Sequence, residues 1–130
     1  MKPFMSAAAA AAAALLLLTA CSLPSSDAGD ADKTARQQIA SAKAQWQNRV
    51  DELPVGADEA QIKDWQARHG LKLDYDAATA SYSSTNLPGG RADVHAKNRI
   101  CDSHFLSLTL QMDKQHRLQD KKLDALGSCL

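Results

Sequence analysis

The segment that most restricts this chain runs from His104 to Met112. Leu106, Leu108, Leu110 and Met112 take every second position, with Ser107, Thr109 and Gln111 between them. Successive side chains of a strand point to opposite faces, so this alternation predicts a strand with one apolar and one polar face. Asp113-Lys114-Gln115-His116 reads as a turn and Arg117 to Leu126 as the returning strand. With Asp113 opposite Arg117, the numbers of each antiparallel pair add up to 230, and Cys101 then falls opposite Cys129. Cysteines that face each other across a hairpin are positioned for a disulfide. Leu118 and Leu123 have opposite parity, so the returning strand needs a bulge or an early end.

The start of the chain has a different character. Met1-Lys2 supplies a small basic beginning, and Ala7 to Leu18 is an uninterrupted run of 12 Ala and Leu residues. A helix that spans a bilayer needs roughly 20. The short run and its small-residue exit mark a secretory signal. Leu18-Thr19-Ala20-Cys21 resembles the lipobox of bacterial lipoprotein precursors. The resemblance implies cleavage before Cys21, a diacylglyceryl group on its sulfur and an acylated amine. Ser22 rather than Asp follows the cysteine, which in Gram-negative lipoproteins leans toward the outer membrane. The alternative is a soluble secreted protein with Cys21 near an ordinary cleavage site. Ser22 to Asp30 is rich in Ser, Asp, Pro and Gly, a composition too poor in apolar surface to order itself. The expected organisation is a signal peptide at 1–20, a flexible tether at 21–31 and one domain at 32–130.

Lys and Arg number 15, as do Asp and Glu, and Lys2 leaves with the signal. The remaining chain thus carries one net negative charge and no basic stripe, so no nucleic-acid partner is expected. Only Trp46, Trp65, Tyr75, Tyr82 and Phe105 supply aromatic bulk beyond the signal. A domain this small is marginal on such a core. With Cys21 set aside, Cys101 and Cys129 remain as an even pair, and an oxidising compartment favours their bridge.

Ala35, Ile39, Ala42, Trp46, Val50 and Leu53 recur at spacings of three and four, which predicts a helix over 32–53 with one apolar face. Asp32 or Thr34 suits its cap, and Pro54 closes it. Asp58 with Gln61 forms a capping-box pattern for a second helix, with Ala57 and Ile62 as the hydrophobic staple. Ile62 and Trp65 point inward, and Gly70 suits the left-handed position after the helix. Strands are then expected at Leu71–Tyr75, Ala80–Ser83, Asp93–Lys97 and in the hairpin, with Asn86 to Gly90 as a loop. Together these predict an α+β domain: two N-terminal helices packed on a small antiparallel sheet of three to four strands.

Leu53-Pro54-Val55-Gly56-Ala57-Asp58 leading to Ile62, and Leu108-Thr109-Leu110-Gln111-Met112-Asp113 with Leu118, are similar to segments of the SmpA/OmlA outer-membrane lipoproteins. Ala57-Asp58 stands where that family commonly has Met-Thr. The resemblance implies an αα-βββ domain that serves outer-membrane protein assembly.

His69, His95, His104 and His116 show no zinc-binding spacing. Cys101 and His104 come closest to a ligand pair or a nucleophile and base, but positions three apart on a regular strand face opposite sides. Asp74 and Asp76 read as solvated carboxylates, and Trp46 and Trp65 as core. No catalytic residue, metal or cofactor is therefore expected. The site residues expected are Cys21 for lipid and the Cys101–Cys129 disulfide. The function expected is a non-catalytic, lipid-anchored envelope module that binds another protein. A periplasmic inhibitor or immunity lipoprotein and a small hydrolase built on Cys101 and His104 are the alternatives.

Overall fold

The structure is a computed structural model that describes residues 27–129; Cys21, the signal and the first part of the tether lie outside the described residues. Helices α1 (Asp27–Asp51) and α2 (Glu59–Arg68) precede five strands: β1 (Asp74–Asp76), β2 (Ser81–Ser84), β3 (Arg91–Asp93), β4 (Cys101–Met112) and β5 (Leu118–Cys129). The α+β class is as expected. All pairings are antiparallel and the sheet has five strands rather than three to four.

The apolar stripe of α1 does bury Ala35, Ile39, Trp46, Val50 and Leu53. The helix begins five residues before the expected start, so 27–31, expected in the tether, are helical. Ala28 and Ala31 continue the stripe toward the N-terminus, and Ala31 packs against the core. Acidic residues are also favourable in the first turns, where the helix dipole is positive. The second helix starts as its capping box requires. Gln61 N–H donates to Asp58 Oδ1 and Asp58 N–H donates to Gln61 Oε1, both at 2.9 Å. It ends with Gly70 at φ +62, while Leu71 N–H donates to Gln66 O and Gly70 N–H to Ala67 O. That pattern satisfies the last carbonyls and needs a residue without a Cβ at its turning point.

This helix exit also explains where the strand expectations fail. Leu71 and Leu73 are buried, but Leu71 N–H is held by Gln66 O and Leu73 N–H by Gln66 Oε1. Their alternation is real and their backbone is not in the sheet. β1 is confined to 74–76, and Tyr75 lies half in solvent with its ring 4.8 Å from that of Tyr82. The strand expected at Asp93–Lys97 is instead β3 at Arg91–Asp93. Asn98 adopts a positive φ shortly afterwards, where the chain turns back toward β4.

β4 organises the sheet. β2 and β3 share one of its edges, β5 takes the other, and Leu106, Leu108 and Leu110 are fully buried beneath the helices. The hairpin register is not uniform. Met112 faces Leu118, then Gln111 faces Asp120, so Gln119 is an extra residue on β5. At the far end Ser103 faces Ser128 and Cys101 faces Cys129, which makes Asp102 an extra residue on β4. The first bulge shifts the pairing by one and brings Leu123 opposite Leu108. The second shifts it back and brings the cysteines together.

Hydrogen bonds fasten the helices and the link between them to this hairpin. Gly56 N–H donates to Leu118 O, Leu118 N–H donates to Ala57 O, and Lys121 Nζ donates to Val50 O and Leu53 O. The lysine thereby caps carbonyls at the C-terminal end of α1, where the helix dipole favours a cation. Trp65 Nε1 donates to Arg49 O and Trp46 Nε1 to Pro88 O, so each buried indole has its polar atom satisfied.

The Cys101 and Cys129 sulfurs lie at the disulfide distance of 2.04 Å, 28 positions apart in the chain. A loop of that length corresponds to about 3.5 kcal/mol in the chain-entropy account. Replacing both cysteines by alanine should lower the unfolding free energy by a similar amount. Denaturant titration of the oxidised chain and the double variant checks this; coincident curves would contradict it.

Candidate functional site

The described residue that stands out chemically is His104. Only three buried residues among those described are polar or charged, Ser81, Ser103 and His104, and of these only the histidine titrates. Its residue is 8% exposed, and Nε2 lies 2.7 Å from Asp32 Oδ1 on α1. An ionised carboxylate only accepts hydrogen bonds, so Nε2 carries the proton of this bond. The second carboxylate oxygen, Asp32 Oδ2, is 2.7 Å from Arg36 Nε. The result is a chain of contacts from exposed Arg36 through Asp32 to a buried imidazole.

The same imidazole lies beside the disulfide. Cys101 and His104 sit three positions apart, and a regular strand would send them to opposite faces. The bulge at Asp102 removes that objection, because one extra residue restores both to the side shared with Cys129 and Gly127. Ligand atoms of Asp32, Cys101 and His104 all lie within 4.8 Å of one another. Gly127 is what leaves room for them. A Cβ built there would stand 3.0 Å from Cys129 Sγ, 3.2 Å from His104 Nδ1 and 3.3 Å from His104 Cε1. A side chain at 127 would therefore press on the bridge and the ring together, and both would have to give by a few tenths of an ångström.

Two open grooves reach this cluster. One, about 290 Å³, passes Asp32, Asn98, Ile100 and Cys101; the other, about 420 Å³, passes Ile39, Lys43, His104, Gly127 and Cys129. Arg36 lines both. Cys101 is a buried residue and Cys129 an exposed one, and each lines one of the grooves. Ile100 is 73% exposed beside it.

The other histidines have structural surroundings. His69 Nε2 is 2.8 Å from Glu52 Oε2, with its ring against Trp46 and Trp65. His95 is exposed, and His116 takes a positive φ in the β4–β5 turn. Asp74 and Asp76 are exposed, and Asp76 Oδ1 accepts from Ala78 N–H in a turn. A further cavity of about 300 Å³ lies between Glu59, Tyr82, Met112 and His116. Burial pushes the Tyr82 hydroxyl above its ordinary value, and the Glu59 charge adds to that. Sequence reasoning named Cys101, Cys129 and His104 but saw Asp32 only as a helix cap. The available signal was an acid placed between Ala31 and Ala35, on the side of α1 that packs inward.

Compared with family models, with curated proteins and with solved structures, the chain matches none.

The Asp32 carboxyl is held below the usual carboxylate range, chiefly by its hydrogen bond with His104. Desolvation opposes the shift, and the Arg36 charge adds to it. A carboxyl whose pKa is depressed on folding stabilises the fold above its unfolded pKa, and that contribution is lost as pH falls through the folded value. Asp32→Asn should therefore melt below the parent at neutral pH, with the gap closing as the solution is acidified. Melting temperatures measured across that range check this; a gap of constant size would contradict it.

Proposed function

We propose that this chain is a lipid-anchored protein of the cell envelope, facing the periplasm, and that its α+β domain works by binding another protein. The observation that carries this reading is Leu18-Thr19-Ala20-Cys21 at the end of the apolar run and just ahead of the domain. One medium acyl chain gives reversible attachment at roughly 0.8 kcal/mol per buried methylene, so the three chains of a mature lipoprotein cysteine would hold the domain firmly. Five residues, Ser22 to Ser26, separate Cys21 from the start of α1. Their contour cannot exceed about 18 Å. The lipid would thus keep the Asp32–His104 end of α1 near the membrane face.

Support for protein binding comes from β5, an edge strand of 12 residues with β4 as its strand neighbour. Such edges accept an extended segment of a partner through main-chain hydrogen bonds. Exposed Leu126 supplies apolar surface on that strand. The similarity of Leu53–Ile62 and of Leu108–Asp113 with Leu118 to the SmpA/OmlA lipoproteins supports a role in outer-membrane assembly or maintenance.

Cys21→Ala should shift the protein from the membrane to the soluble fraction while the domain stays folded. Fractionation of cells that express the two forms tests this, and unchanged membrane association would overturn the anchor. Cross-linking of the anchored form should recover a barrel-assembly component. A secreted toxin or hydrolase as the recurrent product would favour the inhibitor reading instead.

A further inference from the structure

We propose that the Cys101–Cys129 bridge masks a metal site: in the dithiol form Cys101, Cys129 and His104 bind one Zn²⁺-type divalent cation, with Asp32 orienting the histidine and a fourth position left to water. This rests on the geometry of the cluster and is independent of the anchor and of any protein partner. Ligand atoms of Asp32, Cys101 and His104 already lie within 4.8 Å of one another, and Cys129 Sγ is bonded to Cys101 Sγ. Thiolate and imidazole are donors that a tetrahedral zinc centre uses.

The histidine is arranged as a ligand should be. With Nε2–H donating to Asp32 Oδ1, the free lone pair of the neutral ring is on Nδ1. That nitrogen and Cys129 Sγ border the same space, 3.2 and 3.0 Å from one point beside Gly127. The carboxylate that fixes the tautomer thus lies on the far side of the ring from the cation and orients the histidine without ligating the ion. Glycine at 127 is the residue that leaves this point clear. Charge also closes: two thiolates and Asp32 balance a divalent cation and Arg36.

The oxidised form excludes the cation, since disulfide sulfurs are poor ligands. A dithiol reductant attacks Cys129, which lines the larger groove, and leaves as its own disulfide, and the bridge takes up two electrons and two protons. The cation then displaces the two thiol protons to solvent and binds both thiolates. The grooves beside Arg36 give reductant and ion access to the cluster. The site is thus a switch with two closed states, one covalent and one metal-bound, each of which ties the ends of the hairpin together.

The test uses the full chain, oxidised and phosphine-reduced, titrated with Co²⁺ as a spectroscopic probe and then with Zn²⁺. The reduced chain should bind one equivalent of Co²⁺ with sulfur-to-cobalt charge transfer in the near ultraviolet and tetrahedral visible bands. Zn²⁺ should bleach both, and the oxidised chain should show neither. Reduced His104→Ala and Asp32→Ala should each bind about 10–100-fold more weakly, with helix and sheet content followed by circular dichroism. No cobalt–thiolate band in the reduced chain would overturn the proposal. So would equal affinity in the His104 variant, or a reduced chain that unfolds and is not restored by the ion.

Discussion

The fold depends on a conflict inside the β4–β5 hairpin and on how two bulges resolve it. In a register running unbroken from the turn to the cysteines, Leu106 would face Asp124, Leu108 would face Lys122 and Leu110 would face Asp120. Charged side chains would then lie against the buried face of β4. The bulge at Gln119 instead puts Leu123 opposite Leu108 while keeping Leu118 opposite Met112. Relative to that register the bulge gains the burial of Leu123, on the order of 1.5–3 kcal/mol, and keeps the charges of Asp120, Lys122 and Asp124 off the apolar face, against roughly 1–3 kcal/mol for one or two ladder hydrogen bonds disrupted at the bulge. Burial wins, and the strand kinks. A shift left uncorrected would take Cys129 past Cys101, so the bulge at Asp102 is the complement that makes cross-linking possible.

Much of the rest follows from that register. The shift turns Lys121 toward the helices, where it holds the carbonyls of Val50 and Leu53 at the end of α1. Leu118, at the start of β5, exchanges backbone hydrogen bonds with Gly56 and Ala57, which fixes the link between the helices. The compensating bulge gathers His104, the bridge and Gly127 on one side, facing Asp32 of α1. The candidate site is therefore a by-product of core packing some 20 Å along the hairpin, by the usual rise per strand residue.

Local and periodic signals were legible in the residues. The stripe of α1, the Asp58–Gln61 capping box, the left-handed Gly70, the alternation of β4 and the facing cysteines each depend on neighbours a few positions apart or on one hairpin turn. That the returning strand needs a bulge or an early end was legible from the parity of Leu118 and Leu123, and the structure takes the bulge. What was not legible depends on distant contacts. The first turn of α1 carries the Ser-, Asp- and Gly-rich composition of a tether, and Ala28 and Ala31 are too small to announce a stripe unaided. Leu71 and Leu73 alternate like a strand, but the helix cap holds their amides. Asp32 and His104 are 72 positions apart. That Cys101 and His104 share a side follows only once the bulge at Asp102 is known, and that bulge exists to cancel another one.

The paired-bulge register is the claim on which the bridge, the cap on α1 and the metal proposal all rest. It is read most directly from cross-strand nuclear Overhauser contacts between the backbones of β4 and β5 in the isotopically labelled, oxidised chain. The account predicts Leu108 facing Leu123 and Leu106 facing Ala125 in the same molecule in which Cys101 faces Cys129. A uniform ladder with Leu108 facing Lys122 would contradict it.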